Sequence, residues 1–154
     1  MKNKMEQFFD DFLKNGFSIL DVQNLSFLDK IRDELKKQLK SNNLENLHKS
    51  IVDSEINNER IKSFKSLNNI DNWQSKYFSL ASDKLVSLLG PDISIQSKLN
   101  LSIQMPNDIS SNLDLHTDAL SGQSVFEVVL WVPLTRAFDS NSMYIFSREK
   151  TYEI

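Results

Sequence analysis

The chain has 154 residues, 40% hydrophobic and 25% charged, with a net charge of -3, which is the composition of one ordinary globular domain. The mild acidic balance argues against a general nucleic-acid binder, which carries a basic excess. There are no cysteines and only 2 histidines, so disulfides, thiolate metal sites and cysteine nucleophiles are excluded, and any metal falls to His, Asp or Glu.

The N-terminal run MKNKMEQFFDDF is amphipathic and has no signal-peptide core. No apolar stretch approaches the ~20 residues of a membrane span, and a cytoplasmic location is the expectation. Residues 4–15 place Met5, Phe8, Phe9, Phe12 and Leu13 at helical spacing, with Gly16 as a stop. Residues 17–22 are a short β-prone run. Ser26 is a candidate cap for a helix to Leu39, with Phe27, Leu28, Ile31, Leu35 and Leu39 on one face. After a break at residues 41–43, residues 44–69 are polar with a thin helical stripe: Leu44, Leu47, Ile51, Ile56, Ile61 and Phe64. Asp71 can cap a further helix to Leu89, with Trp73, Tyr77, Leu80, Leu85, Leu88 and Leu89 inward, and Gly90-Pro91 ends it.

From Ile93 the period changes from 3.6 to 2. Ile93, Ile95, Leu99, Leu101, Ile103 and Met105 alternate with Gln96, Lys98, Asn100, Ser102 and Gln104, which predicts a long strand. Turns are predicted at Pro106-Asn107-Asp108, Ser121-Gly122-Gln123 and Ser140-Asn141, with strands over residues 113–118, 125–134 and 142–146, the strongly apolar 125–134 strand reading as buried on both faces. The fold class expected is α+β in a single domain spanning residues 1–154. Residues 1–92 form a mainly helical layer, packed on a sheet that begins at residue 93. Four strands do not close a jelly roll, which takes about eight.

His116-Thr117-Asp118 is the sharpest local feature. In a strand, residues i and i+2 share a face, so an imidazole and a carboxylate would stand side by side. They would form two corners of a 2-His-1-carboxylate triad, which leaves positions on iron open. With 21 acidic residues in the chain, the spacing alone fits a surface hydrogen bond, or an Asp118 that caps the next turn, better than a metal pair. The polar face of the preceding strand is either wet or turned inward. Trp131 reads as core. Glu127, a charge amid Val and Phe, reads as a salt-bridge partner at a sheet rim, and His48 as a surface residue.

Residues 101–146 resemble a branch of the phytanoyl-CoA dioxygenase-like superfamily that occurs in bacterial carbohydrate-biosynthesis gene clusters. The matching pieces are Ser102-Ile103-Gln104-Met105-Pro106, His116-Thr117-Asp118, Ser121-Gly122, Phe126-Glu127-Val128-Val129-Leu130-Trp131-Val132-Pro133-Leu134 and Ser142-Met143-Tyr144. The resemblance implies a double-stranded β-helix, Fe(II) and 2-oxoglutarate as cofactors, and dioxygen-dependent hydroxylation of a small organic substrate. It implies His116 and Asp118 as iron ligands. It also implies Gln96 and Asn100, in a Gln-x-basic-x-Asn pattern, as contacts to 2-oxoglutarate or as residues that order the cavity. The chain departs from the family after Asp118. No second histidine follows, and Arg136 and Arg148 come too early to pair with the far carboxylate of 2-oxoglutarate. A chain truncated at its C-terminus is the expectation, with an open sheet edge available for self-association. The alternatives are a non-redox cupin-like sugar isomerase and a non-catalytic binding protein.

Overall fold

The computed structural model describes residues 4–153, apart from the side chains of Lys4 and Asp53. Residues 1–3 of the amphipathic N-terminal run and Ile154 lie outside them. Among the described residues six α-helices follow one another: α1 Lys4–Asn15, α2 Leu25–Gln38, α3 Ile56–Asn68, α4 Trp73–Phe78, α5 Ser82–Leu89 and the short α6 Arg148–Thr151. Short 3-10 turns at Leu44–Lys49 and Asp53–Glu55 link α2 to α3.

The amphipathic stripes decide the packing. Phe27, Ile31 and Leu35 of α2, with Leu39 just beyond it, are buried against Ile56, Ser63 and Leu67 of α3. Ser63 is fully buried and small, so it leaves room for the facing helix. Leu47, Trp73 and Leu80 close the same core, with the Trp73 and Tyr77 rings edge-on at 6.5 Å. At the other end, Phe8 of α1 is buried beneath Lys84 of α5, whose ammonium sits 5.3 Å from the ring centre. Gly16 closes α1 with a left-handed φ of 84°, its N–H donating to Phe12 O at 2.8 Å, as its position after the last apolar residue predicts.

Three helix details differ from the sequence expectation. The cap of α2 is Asn24, whose side chain accepts from Phe27 N at 3.1 Å; Ser26 instead donates to the Asn24 side chain. The expected helix from Asp71 to Leu89 is two helices. The break at residues 79–81 lets Leu80 enter the core while its carbonyl accepts from Gln23 N at 2.9 Å. Only the second half of the 44–69 stripe is an α-helix, and Ile61 faces solvent.

The larger correction concerns residues 93–153. Among the described residues there is no strand and no sheet, only one isolated antiparallel bridge between Phe138 and Asn141. The α+β class and the double-stranded β-helix are therefore overturned: the regular structure is helical. From Leu99 onward the period-2 pattern nevertheless governs burial, although Ile95 of the same predicted strand is exposed. Leu99 and Met105 are buried and Leu101 and Ile103 half-buried, while Asn100, Ser102 and Gln104 are exposed. Val128, Leu130, Val132 and Leu134 are half-buried, while Val129, Trp131 and Pro133 are exposed. Both runs lie on the helical core through alternate side chains. Alternation dictates which face is dry and does not supply the neighbouring strand that a ladder requires. Trp131, expected in the core, is 47% exposed for the same reason.

The backbone bonds of these runs come from the helices instead. Asn68 at the end of α3 donates to Leu99 O and accepts from Leu99 N, at 3.0 and 2.7 Å, as a neighbouring strand residue would. Arg60 of α3 donates through Nε to Ile103 O at 2.8 Å and pairs with Asp108. Tyr77 of α4 donates to Leu130 O at 2.8 Å.

Candidate functional site

His116 and Asp118 do come together. Their side chains approach to 3.5 Å between Nε2 and Oδ1, on an irregular segment that is exposed at both residues. The segment holds its shape through local bonds. Thr117 O accepts from Ser121 N at 3.1 Å, and Asp118 O accepts from Ser121 N and Gln123 N, each at 3.0 Å. Gly122 follows with a φ of 96°, open to glycine and strained for other residues, so the predicted turn at Ser121-Gly122-Gln123 is present.

The imidazole orientation is chemically informative. Nδ1 lies 2.7 Å from the backbone carbonyl of Asp114. A carbonyl only accepts, so Nδ1 carries the proton, and in the neutral ring Nε2 presents its lone pair. Beside the carboxylate, Nε2 either donates to Asp118 when the ring carries both protons or presents a lone pair next to it, and a carbonyl behind the distal nitrogen is also the usual arrangement around a metal-bound histidine. Two donors each about 2.1 Å from one ion at a right angle stand about 3.0 Å apart, so a small side-chain rotation brings this pair to adjacent coordination positions.

The remaining expected residues do not join the pair. Gln96 and Asn100 are exposed on the irregular segment before and after Lys98, and among the described residues the side chain of His116 meets Asp114 and Asp118. Among the described residues no group of three or more His, Cys, Asp or Glu is placed to hold a metal. The residues present thus fit two positions of an iron site and do not fit a complete triad. His48 is exposed on the turn Leu44–Lys49, as expected of a surface residue, and Glu127 is exposed.

A cleft of about 350 Å³ lies elsewhere, between α3 and the turn at residues 106–108, lined by Ile56, Arg60, Met105 and Asp108 among others. Its charges are already used. The Arg60 hydrogen bond, followed by those from Ser110 and Ser111, holds the Asp108 carboxyl well below the usual carboxylate range. This clamp and the Asn68 and Tyr77 anchors carry no sequence signature, although Arg60 is the lone arginine of α3. No family model matches the chain, nor does any curated protein or solved structure.

Proposed function

We propose that this chain contributes His116 and Asp118 to a non-haem iron(II) site serving a 2-oxoglutarate-dependent oxygenation of a small organic substrate. One observation carries the reading: an imidazole whose Nδ1 is committed to a carbonyl turns its free Nε2 toward a carboxylate 3.5 Å away. An imidazole nitrogen and a carboxylate so placed can share a metal ion, and His with Asp is the donor combination of non-haem iron oxygenases. The choice of iron, and of Gln96 and Asn100 as contacts to 2-oxoglutarate, rests on the resemblance of residues 101–146. The same resemblance favours a sugar, a sugar nucleotide or a lipid-linked intermediate as substrate. When bound, iron would supply the activation of dioxygen; these residues would hold the metal and keep neighbouring positions open.

The test is an anaerobic titration of Fe(II) into the protein with 2-oxoglutarate present, following the weak visible charge-transfer band of the chelated metal. A band that disappears in both His116→Ala and Asp118→Ala is the expected result. Iron binding that survives in both variants would sink the assignment. The competing reading is a non-catalytic binding protein, which a titration silent in every sample would favour.

A further inference from the structure

We propose that the cleft between α3 and the turn at residues 106–108 is a binding site for a neutral, hydroxyl-rich small molecule the size of one hexose ring. The argument rests on the cleft alone and is independent of the iron assignment; neither His116 nor Asp118 lines it. Its volume of about 350 Å³ lies at the small end of ligand sites. Ile56 and Met105, both buried, give it an apolar wall together with Pro106. Asn57, Arg60, Asn107 and Ser110 border the same space with amide, guanidinium and hydroxyl groups.

Hydrogen-bonding capacity is left over at this wall. Nε and Nη2 of Arg60 are committed to Ile103 O and Asp108, whereas Nη1, with its two N–H groups, meets no partner among the described residues. The side-chain amides of Asn57 and Asn107 make no hydrogen bond to any described residue either. Asn107 holds a left-handed φ of 65°, which glycine adopts with least strain, and asparagine there adds an amide to the cleft that the turn itself does not need.

Charge and pairing fix the ligand class. Arg60 and Asp108 neutralise one another, and no other charged residue lines the cleft, so neither an anion nor a cation gains a net attraction. A wholly apolar molecule would leave two amides and a guanidinium edge unpaired. Hydroxyls donate to the amide oxygens and accept from the amide and guanidinium N–H groups. The C–H face of a ring covers Ile56, Met105 and Pro106.

Saturation-transfer NMR on the full chain tests this, with D-glucose, D-galactose, D-mannose and myo-inositol as probes. Transfer to at least one of them is expected, with a dissociation constant on the order of 1 mM. Asn57→Ala and Asn107→Gly should each weaken that binding about tenfold. Both should keep the helical circular dichroism spectrum, because alanine suits the first turn of α3 and glycine suits the left-handed φ. Asn58→Ala, beside the cleft but not lining it, should bind as the parent chain does, and excess inorganic phosphate should not compete. Transfer to none of the four probes overturns the proposal. So does binding that both cleft variants leave unaltered, or displacement of the probe by phosphate, which would mark an anion site.

Discussion

Tyr77 shows how much a single side chain does when a run of backbone lacks a neighbouring strand. Its ring packs edge-on to Trp73, and its hydroxyl donates to Leu130 O at 2.8 Å, which holds residues 128–134 against α4. Burial pushes its phenol from the usual 10.0 up to about 12. The folded state therefore holds this proton more tightly than the unfolded chain. The stability tied to it is whole below about pH 10 and falls as the pH rises toward about 12. Replacement by phenylalanine should cost about 1 kcal/mol in urea unfolding at neutral pH. It should also remove the part of the alkaline stability loss that belongs to this group. An unchanged alkaline profile in Tyr77→Phe would show that the hydroxyl is not the group responsible.

At the scale of elements, helix faces were well marked in the sequence and helix ends less so. Phe27, Ile31, Leu35 and Leu39 recur every turn and are all buried. The break between α4 and α5 has a tertiary cause: Leu80 is drawn into the core and its carbonyl is taken by Gln23, which a continuous helix would not allow. The strand-like runs show the opposite division. Alternation correctly sorted dry from wet in residues 99–105, whereas residues 125–134, expected to be buried on both faces, expose Val129 and Trp131; the hydrogen bonds of both runs go to side chains on α3 and α4. Asn68 is the critical one because it satisfies both backbone groups of Leu99. Asn68→Ala should leave both without a protein partner and cost about 2 kcal/mol. The measurement is urea unfolding, accompanied by faster amide exchange at Leu99. Exchange at Leu99 that stays slow in the variant would contradict this role.

The whole molecule divides into a helical core and an irregular remainder. Buried residues come from α1 through α4 and the adjoining segments, and the last of them in the sequence is Met105. Beyond it Leu113, Leu115, Leu120, Val125, Phe126 and Tyr144 are exposed. No helix of the described residues is long and apolar enough to cross a membrane. Segments with few buried contacts open at low free-energy cost. Limited proteolysis of the monomer at low concentration should therefore cut first within residues 109–126, next to the His116 motif, and spare α2 and α3. First cuts inside α2 or α3 would contradict this division.

By itself the sequence determined the main amphipathic helices, the glycine stop at Gly16, the turns at residues 106–108 and 121–123, and the dry face of residues 99–105. Those are local properties, set by side-chain period and by backbone preference. It also marked His116 and Asp118 as a pair, which lie one residue apart and approach to 3.5 Å beside the following turn. Only the tertiary structure decided that the alternating runs lie on helices and do not pair with each other, because strand pairing depends on which backbone stands alongside, and period carries no record of that. The tertiary structure likewise gave Asn68, Arg60 and Tyr77 the task of holding those runs, through contacts between residues 31 to 53 positions apart.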